Sequence, residues 1–124
     1  MNRVEQLGNL TRDPELRKTN SGTSVLNCCI ATQRNVPKGD GFVKKSFFLD
    51  FTMWGATAET FYKFHSKGSK AFIDGHLDSD EWEDKATGQK RSKIKMIATS
   101  WYFTGNKDDT GPGEVVANKD NTPF

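Results

Sequence analysis

One helical segment with strand-like sequence on both sides constrains the fold of this 124-residue chain more than any other feature. Residues 56–68, ATAETFYKFHSKG, place Phe61 and Phe64 on one helical face. Lys67 and Gly68 then supply a basic last turn and a glycine stop. The sequence therefore predicts a single helix that ends near Gly68.

Five β-rich segments surround this helix, three before it and two after it. In chain order they are RVEQLGNL, TSVLNCCIATQR, FVKKSFFLDFTMWG, SKAFIDGHLDSDEWED and QKRSKIKMIATSWYF. The last two predict a hairpin that turns at Thr87 and Gly88, while TRDPELRKTNSG and NVPKGDG are typical of loops. One helix between the third and fourth of five strands predicts an all-β fold with one helix, a closed Greek-key barrel of the OB-fold type.

The C-terminal residues differ in composition from the rest of the chain. Residues 105–124 lose all periodicity, are rich in Gly, Asn and Asp, and carry two lysines against four acids. The whole chain has a net charge of +2, so residues 1–104 form a mildly basic body. We expect residues 1–104 to be one OB-fold domain and residues 105–124 to be a disordered acidic tail.

The cysteines and histidines predict no disulfide, metal or cofactor. Cys28 and Cys29 are neighbours in a strand, so their side chains point to opposite faces and are poorly placed to pair. His65 and His76 lack metal-ligand spacing. Two cysteines without a disulfide framework indicate a reducing compartment. Without a signal peptide or an apolar run of membrane length, a cytoplasmic protein with no membrane partner is expected.

The acidic strand is the only candidate for catalysis. Asp78, Asp80 and Glu81 could hold a divalent cation, as in a metal-dependent nuclease. However, Asp80 and Glu81 face opposite sides of a strand, and no second acidic cluster or nucleophile with a base accompanies them. The chain is therefore expected not to be an enzyme.

Aromatic residues crowd the third predicted strand. Alternation gives two faces, Phe47, Leu49, Phe51 and Met53 on one, and Phe48, Asp50, Thr52 and Trp54 on the other. The first face is expected in the core. The second mixes large aromatics with polar residues, which either cover a barrel end or a subunit interface or form a stacking platform for bases. Trp82, flanked by carboxylates, has the same two interpretations.

Basic residues bracket these aromatics. They are Lys44, Lys45, Lys63, Lys67, Lys70, Lys90, Arg91, Lys93 and Lys95. A charged run is most often a solvated face, but basic grooves with interleaved aromatics are typical of proteins that bind single-stranded nucleic acid.

The motifs together resemble the bacterial-type single-stranded DNA-binding protein family. The matching pieces are GNLTRDPELRKTNSGTSVLNCCIATQR, MWGATAETFYKFHSKGSKAFIDGHL, EWEDKATGQKR and the terminal DNTPF. They cover nearly the whole chain in the family's order.

This resemblance implies an OB-fold homotetramer that wraps single-stranded DNA without sequence preference. It implies base stacking on Phe48, Trp54 and Trp82. The family's basic helix-end residue falls on Lys67. From the distribution of cations we expect phosphate contacts from Lys44, Lys45, Lys67, Lys70, Lys90, Arg91, Lys93 and Lys95. The resemblance also implies a partner-binding tip formed by Asp120, Pro123 and Phe124, which would recruit replication, recombination and repair proteins.

Two departures from the family pattern stand out, and they fit a phage or mobile-element member. The family usually has a further stacking aromatic in the loop after the second strand, and this chain lacks it. Val36 stands at about that position, and Phe42 is considered as its substitute. The family is usually basic before the hairpin tryptophan, where this chain has acids. We expect these acids to lie across from residues 90–95, hold the hairpin register and weaken phosphate contact.

Three other functions remain open from the residues alone. An accessory OB-fold protein of the primosomal type would act mainly through protein contacts, but such proteins lack the Pro-Phe ending. An RNA-binding OB module would share the aromatic and basic features, because nothing in the sequence reports on the 2′-OH. A nuclease would need metal, which an assay of metal dependence would detect.

Overall fold

A computed structural model describes residues 1–104 and contains six strands and one helix. The elements are β1 (Val4–Leu10), β2 (Glu15–Lys18), β3 (Ser24–Lys38), β4 (Gly41–Trp54), α1 (Gly55–Phe64), β5 (Lys70–Glu83) and β6 (Lys90–Tyr102). The five predicted strands and the helix occur in the predicted order, and β2 is one additional short strand. The predicted tail, with Asp120, Pro123 and Phe124, lies outside the described residues.

Five of the strands close into a barrel. β1 pairs with β5, β5 with β6, β6 in parallel with β4, and β4 with β3. The ring closes where Asn9 and Leu10 of β1 pair with Ala31 and Ile30 of β3. A Cβ atom at Gly8 would lie 2.1 Å from the Ala31 carbonyl oxygen, so this close approach requires glycine. The closed OB-type barrel is confirmed, with β2 on the outer edge of β3.

The core lies inside the barrel and under the helix. Its largest fully buried side chains are Phe51, Phe61, Leu26, Ile30, Met53, Ile73 and Met96. Phe61 reaches inward from α1, and its ring packs edge-on against Phe51 and Trp101 with centroids 5.8 Å away in both cases. Full burial of such a side chain is worth about 1.5–3 kcal/mol, which fixes α1 on the barrel.

The prediction of a loop at NVPKGDG was wrong. β3 and β4 continue in unbroken antiparallel register as far as Lys38 opposite Gly41, so the chain reverses at Gly39 and Asp40. Outside the barrel both faces of this pair meet water, and its polar sequence lacks the apolar alternation that signals a strand. We call the part of the hairpin beyond the barrel, residues 32–47, the β3–β4 ribbon.

The predicted helix end was also wrong. α1 ends at Phe64, and His65 already has an extended backbone. Lys63 is therefore the basic residue of the last turn, while Lys67 lies in the following loop, where its amide donates to Asp13 Oδ1 at 2.7 Å. Phe64, which shares a predicted face with Phe61, is 57% exposed.

Phe47 is the one predicted core residue of β4 that is not buried. Leu49, Phe51 and Met53 are buried as expected, but Phe47 is 56% exposed. It stands opposite Thr32, one residue beyond the last position at which β3 pairs with β1. Alternation assigns Phe47 the correct face, but the barrel has already ended at its position.

The cysteines occupy the core as unpaired thiols. Cys28 and Cys29 are both buried and form no disulfide, and burial raises the pKa of Cys28 above that of an ordinary thiol. Within residues 1–104, the helix is neither long nor apolar enough to cross a membrane.

Candidate nucleic-acid interface

Two large aromatic side chains stand exposed on the outer face of β4. Phe48 is 61% exposed and Trp54 is 49% exposed. They are six residues apart on a strand whose pairing with β3 has no register break, so alternation places both on one face. The predicted separation of this face from the buried one is confirmed for Phe48 and Trp54.

Trp82 joins the same face from β5. It is 49% exposed and stands directly opposite Arg91 of β6, which places both side chains on one side of the hairpin. Ile97 of β6 pairs in parallel with Thr52 of β4, so their side chains lie on one side of the sheet. Arg91 shares that side because it is an even number of residues from Ile97 in β6. Thr52, in turn, shares a face with Phe48 and Trp54 in β4. The fold therefore brings Phe48, Trp54 and Trp82 to one side of the continuous sheet β4–β6–β5, here called the aromatic face.

An ion pair lies on the aromatic face between β4 and β6. The ammonium group of Lys93 donates to the carboxylate of Asp50, which alternates with Phe48 along β4. This hydrogen bond holds the pKa of Asp50 below its usual value and raises the pKa of Lys93. Lys93, predicted to contact phosphate, is therefore already held by an acid.

The other cations of β6 face acids across the hairpin. The predicted register is confirmed, since Asp78 is opposite Lys95, Asp80 opposite Lys93, Trp82 opposite Arg91 and Glu83 opposite Lys90. The ion pairs run diagonally, however. Lys95 Nζ lies 2.9 Å from Asp80 Oδ1, and the Arg91 guanidinium lies 3.1 Å from Asp84 Oδ2. Such solvent-exposed pairs typically contribute about 0–1 kcal/mol each, so a phosphate group can compete for the cations.

The remaining predicted phosphate contacts have no acidic partner within 4.0 Å in the part of the chain that the structure describes. They are Lys44, Lys45, Lys67, Lys70 and Lys90. Lys44 shares the aromatic face with Phe48, whereas Lys45 points to the opposite side of the ribbon. Lys67 precedes β5 and Lys70 begins it, at the end of the strand far from Trp82. The structure thus distributes the predicted cations over several surfaces.

The acidic strand does not converge on a metal site. Among residues 1–104, no three His, Cys, Asp or Glu side chains come close enough to hold a metal ion. Asp80 instead pairs with Lys95, and Asp78 accepts a hydrogen bond from the amide of Ser79 at 2.8 Å.

Three features of this surface were missed or left open by sequence reasoning. The Asp50–Lys93 pair joins residues that are far apart in the chain, and no local pattern signals it. Arg34, on the ribbon, is the last residue of the segment quoted for the second strand and was not considered as a phosphate contact. Phe42, considered as a substitute for the missing aromatic, is 70% exposed at the ribbon end, on the same side as Phe48.

Comparison with known proteins gives consistent matches along the chain. Residues 1–104 match the single-strand binding protein family. The single-stranded DNA-binding protein of Wolinella succinogenes is 39% identical over 98% of this chain and 77% of its own length. Single-stranded DNA-binding protein 1 of Chlorobaculum tepidum is 30% identical over 99% of this chain and 76% of its own. For the Helicobacter pylori protein of the same name the identity is 37% over 87% of this chain and 60% of its own.

A solved structure supports the fold independently. The chain superposes on the Plasmodium falciparum SSB complex with ssDNA with a TM-score of 0.71, over 80% of this chain and 87% of the other. The two are 17% identical in sequence, so this likeness concerns the fold alone.

Proposed function

This chain belongs to the single-strand binding protein family, and from that membership we propose that it binds single-stranded DNA on its aromatic face without sequence preference. The observation that carries the proposal is the exposure of Phe48, Trp54 and Trp82 on one side of one sheet. Large aromatics exposed together on a small domain mark an interaction surface.

Stacking gives this surface its preference for unpaired strands. A base stacked on an aromatic side chain contributes roughly 1–3 kcal/mol, and every base offers a π-face, so the interaction tolerates any sequence. Bases in a duplex are already stacked on each other and cannot reach Phe48, Trp54 and Trp82. Binding therefore selects single strands without reading base edges.

Phosphate contacts add affinity that depends on salt. Lys44 lies on the same face of β4 as Phe48 and has no acidic partner within 4.0 Å among the described residues. It is therefore the first candidate for a phosphate contact. Arg91, Lys93 and Lys95 contribute only when phosphate displaces Asp84, Asp50 and Asp80. Each such exchange trades one ion pair for another, so binding is weaker and depends less on salt than for a face with unpaired cations.

The edge of β1 supports a homotetramer. Only Asn9 and Leu10 of β1 pair with β3, so between Val4 and Gly8 this edge has no strand partner within residues 1–104. Leu7 on this stretch is 57% exposed. An unpaired strand edge is a template for pairing with another chain. Sedimentation equilibrium of the full chain would show the tetramer mass, and a monomer mass would refute this assembly.

We further propose a non-catalytic cytoplasmic role in replication, recombination and repair. Coating would protect the strand and remove secondary structure. Partner proteins would dock on the tip formed by Asp120, Pro123 and Phe124, where the phenyl ring offers an apolar anchor and Asp120 a charge.

Competition binding tests the proposed function. Labelled oligo-dT bound to the protein is challenged with unlabelled oligo-dT, mixed-sequence DNA, oligo-rU and duplex. We expect both single-stranded DNA competitors to displace the label and duplex to fail. Displacement by duplex as readily as by oligo-dT would refute the proposal, and stronger displacement by oligo-rU would favour an RNA-binding module.

A further inference from the structure

The β5–β6 hairpin continues beyond the barrel as residues 78–95, here called the β5–β6 arm, and its reverse side, away from the aromatic face, is acidic and apolar. Ile94 pairs with Ser79 and is 63% exposed. One same-face pair further from the barrel, the exposed Glu81 pairs with Ser92. Glu83, two residues on, is exposed on the same side. We call Ile94, Glu81 and Glu83 the acidic patch.

The reverse side of the β3–β4 ribbon has the same layout with the opposite charge. Phe47 pairs with Thr32, and one same-face pair further from the barrel Arg34 pairs with Lys45. Phe47 is 56% exposed, and a cavity of about 290 Å³ opens beside it and the two cations. We call Phe47, Arg34 and Lys45 the basic patch. From the barrel outward, each patch thus presents an exposed apolar residue and then two like charges.

The charges of both patches are unpaired in the described part of the chain. Within residues 1–104, no opposite charge lies within 4.0 Å of Glu81, Glu83, Arg34 or Lys45. Glu83 stands opposite Lys90 but does not come within that distance of it. Arg34 and Lys45 are like charges directly opposite each other, which destabilises the strand pairing. A carboxylate arriving from outside would remove that repulsion.

The two patches of one chain do not meet. The ribbon precedes Phe51 in β4 and the arm precedes Met96 in β6, and these two residues pair in parallel, so ribbon and arm leave the barrel at the same end. β4 and β6 pair only there and at the next position. Within residues 1–104, no ion pair joins the arm to the ribbon. Each patch is therefore available to another copy.

We infer that the acidic patch of one copy docks on the basic patch of a second copy. With arm and ribbon side by side in the same direction, Ile94 meets Phe47 and the carboxylates meet the cations. Charge complementarity of this kind selects the partner and fixes the register. Each copy of a docked pair keeps one unused patch, so the contact can repeat from copy to copy. This surface is separate from the β1 edge and needs no DNA, so the inference does not rest on the proposed function.

Sedimentation velocity of the full chain without DNA tests the contact. The wild-type mass should rise with protein concentration above that of the smallest assembly present, and the rise should shrink at high salt because screening weakens the attraction. Glu81→Lys/Glu83→Lys gives one chain two basic patches, and Arg34→Glu/Lys45→Glu gives it two acidic ones. Each variant alone should lose the rise.

Mixing the two double variants is the decisive step. The intact basic patch of the first variant matches the intact acidic patch of the second, and the two reversed patches match as well. An equimolar mixture should therefore associate as the wild type does, which neither variant does alone. This recovery also shows that both variants are folded.

Glu15→Lys is the matched control for the single variant Glu81→Lys. It makes the same substitution at an exposed position of β2, which pairs with the end of β3 distant from the ribbon. Glu15→Lys should keep the wild-type rise in mass with concentration, whereas Glu81→Lys should reduce it. Equal effects of the two would assign the change to net charge and overturn the inference.

Three further results would overturn the docking. A wild-type mass that does not change with concentration would remove the contact between copies. Loss of association in Arg34→Glu/Lys45→Glu but not in Glu81→Lys/Glu83→Lys would show that the basic patch meets a different surface. A mixture that stays as small as its components, with both variants folded by circular dichroism, would show that the patches do not pair. Failure to bind oligo-dT would instead refute the proposed function and leave this contact standing.

Discussion

The Asp50 carboxylate holds the Lys93 ammonium group across β4 and β6, on the same side of the sheet as Phe48 and Trp54. An acid in this position repels phosphate and at the same time occupies a cation on the same face. In the proposed binding mode, Asp50 would therefore limit the electrostatic part of binding, and we expect stacking to contribute most.

Replacing Asp50 with Asn should tighten binding to oligo-dT, because Lys93 becomes available and one repulsive charge is lost. The slope of log K against log salt should become steeper by about 0.7, for one additional phosphate contact on a single strand. Lys93→Ala should then weaken binding more in the Asp50→Asn background than in the wild type. Equal effects of Lys93→Ala in both backgrounds would show that Asp50 does not restrain Lys93.

The same ion pair should make folding stability depend on acid pH. The pKa of Asp50 is lowered in the folded protein by the hydrogen bond from Lys93. Its contribution to stability is therefore present above the unfolded pKa and is lost as pH falls through the folded pKa. Denaturant titrations should show a wild-type advantage over Asp50→Asn at pH 7 that disappears in strong acid. An unchanged difference across this range would contradict the pairing.

The acids of β5 should weaken DNA binding in two ways. Asp78 and Asp80 repel phosphate, and Asp80 also holds Lys95 at 2.9 Å. Changing both acids to Asn should tighten oligo-dT binding at low salt, with a smaller gain at high salt because screening removes the repulsion. Glu15→Gln, on β2, is the control and should bind as the wild type does. Unchanged affinity of the double variant at low salt would remove this role for the acids.

The terminal residues should serve protein partners and not the DNA. Deleting residues 121–124 removes Pro123 and Phe124 and should abolish recovery of replication or repair enzymes in a pull-down. Oligo-dT affinity should stay the same, because residues 121–124 carry no charged side chain that could attract or repel phosphate. Docking should weaken with salt, since Lys119 opposes the charge of Asp120. Recovery of the same partners by the truncated chain would show that the tip is not the docking element.

The order of the strands and the helix along the chain, and the faces to which side chains point, could be predicted from sequence because both follow from local patterns. Alternation alone separated Phe48 and Trp54 from the buried residues of β4. The turn residues at Thr87 and Gly88 were sufficient to place the acids of β5 opposite the cations of β6.

What sequence could not provide was the extent of the barrel and the choice of ion-pair partners. Phe47 has the alternation of a core residue, and only the last β1–β3 pairing at Ala31 shows that it lies outside. Lys93 stands opposite Asp80 in the hairpin but contacts Asp50 from another strand. Both outcomes depend on how distant strands meet, which no local pattern encodes.

Tryptophan fluorescence during titration with oligo-dT, repeated at several salt concentrations, tests the central claim most directly. Trp54 and Trp82 are half exposed, and a stacked base should quench them strongly. We expect saturable quenching that persists at high salt with weakened affinity. Trp54→Ala, Trp82→Ala and Phe48→Ala should each cost roughly 1–3 kcal/mol of binding while the barrel stays folded. Saturable binding without quenching, and with wild-type affinity in all three variants, would show that DNA does not stack on the aromatic face.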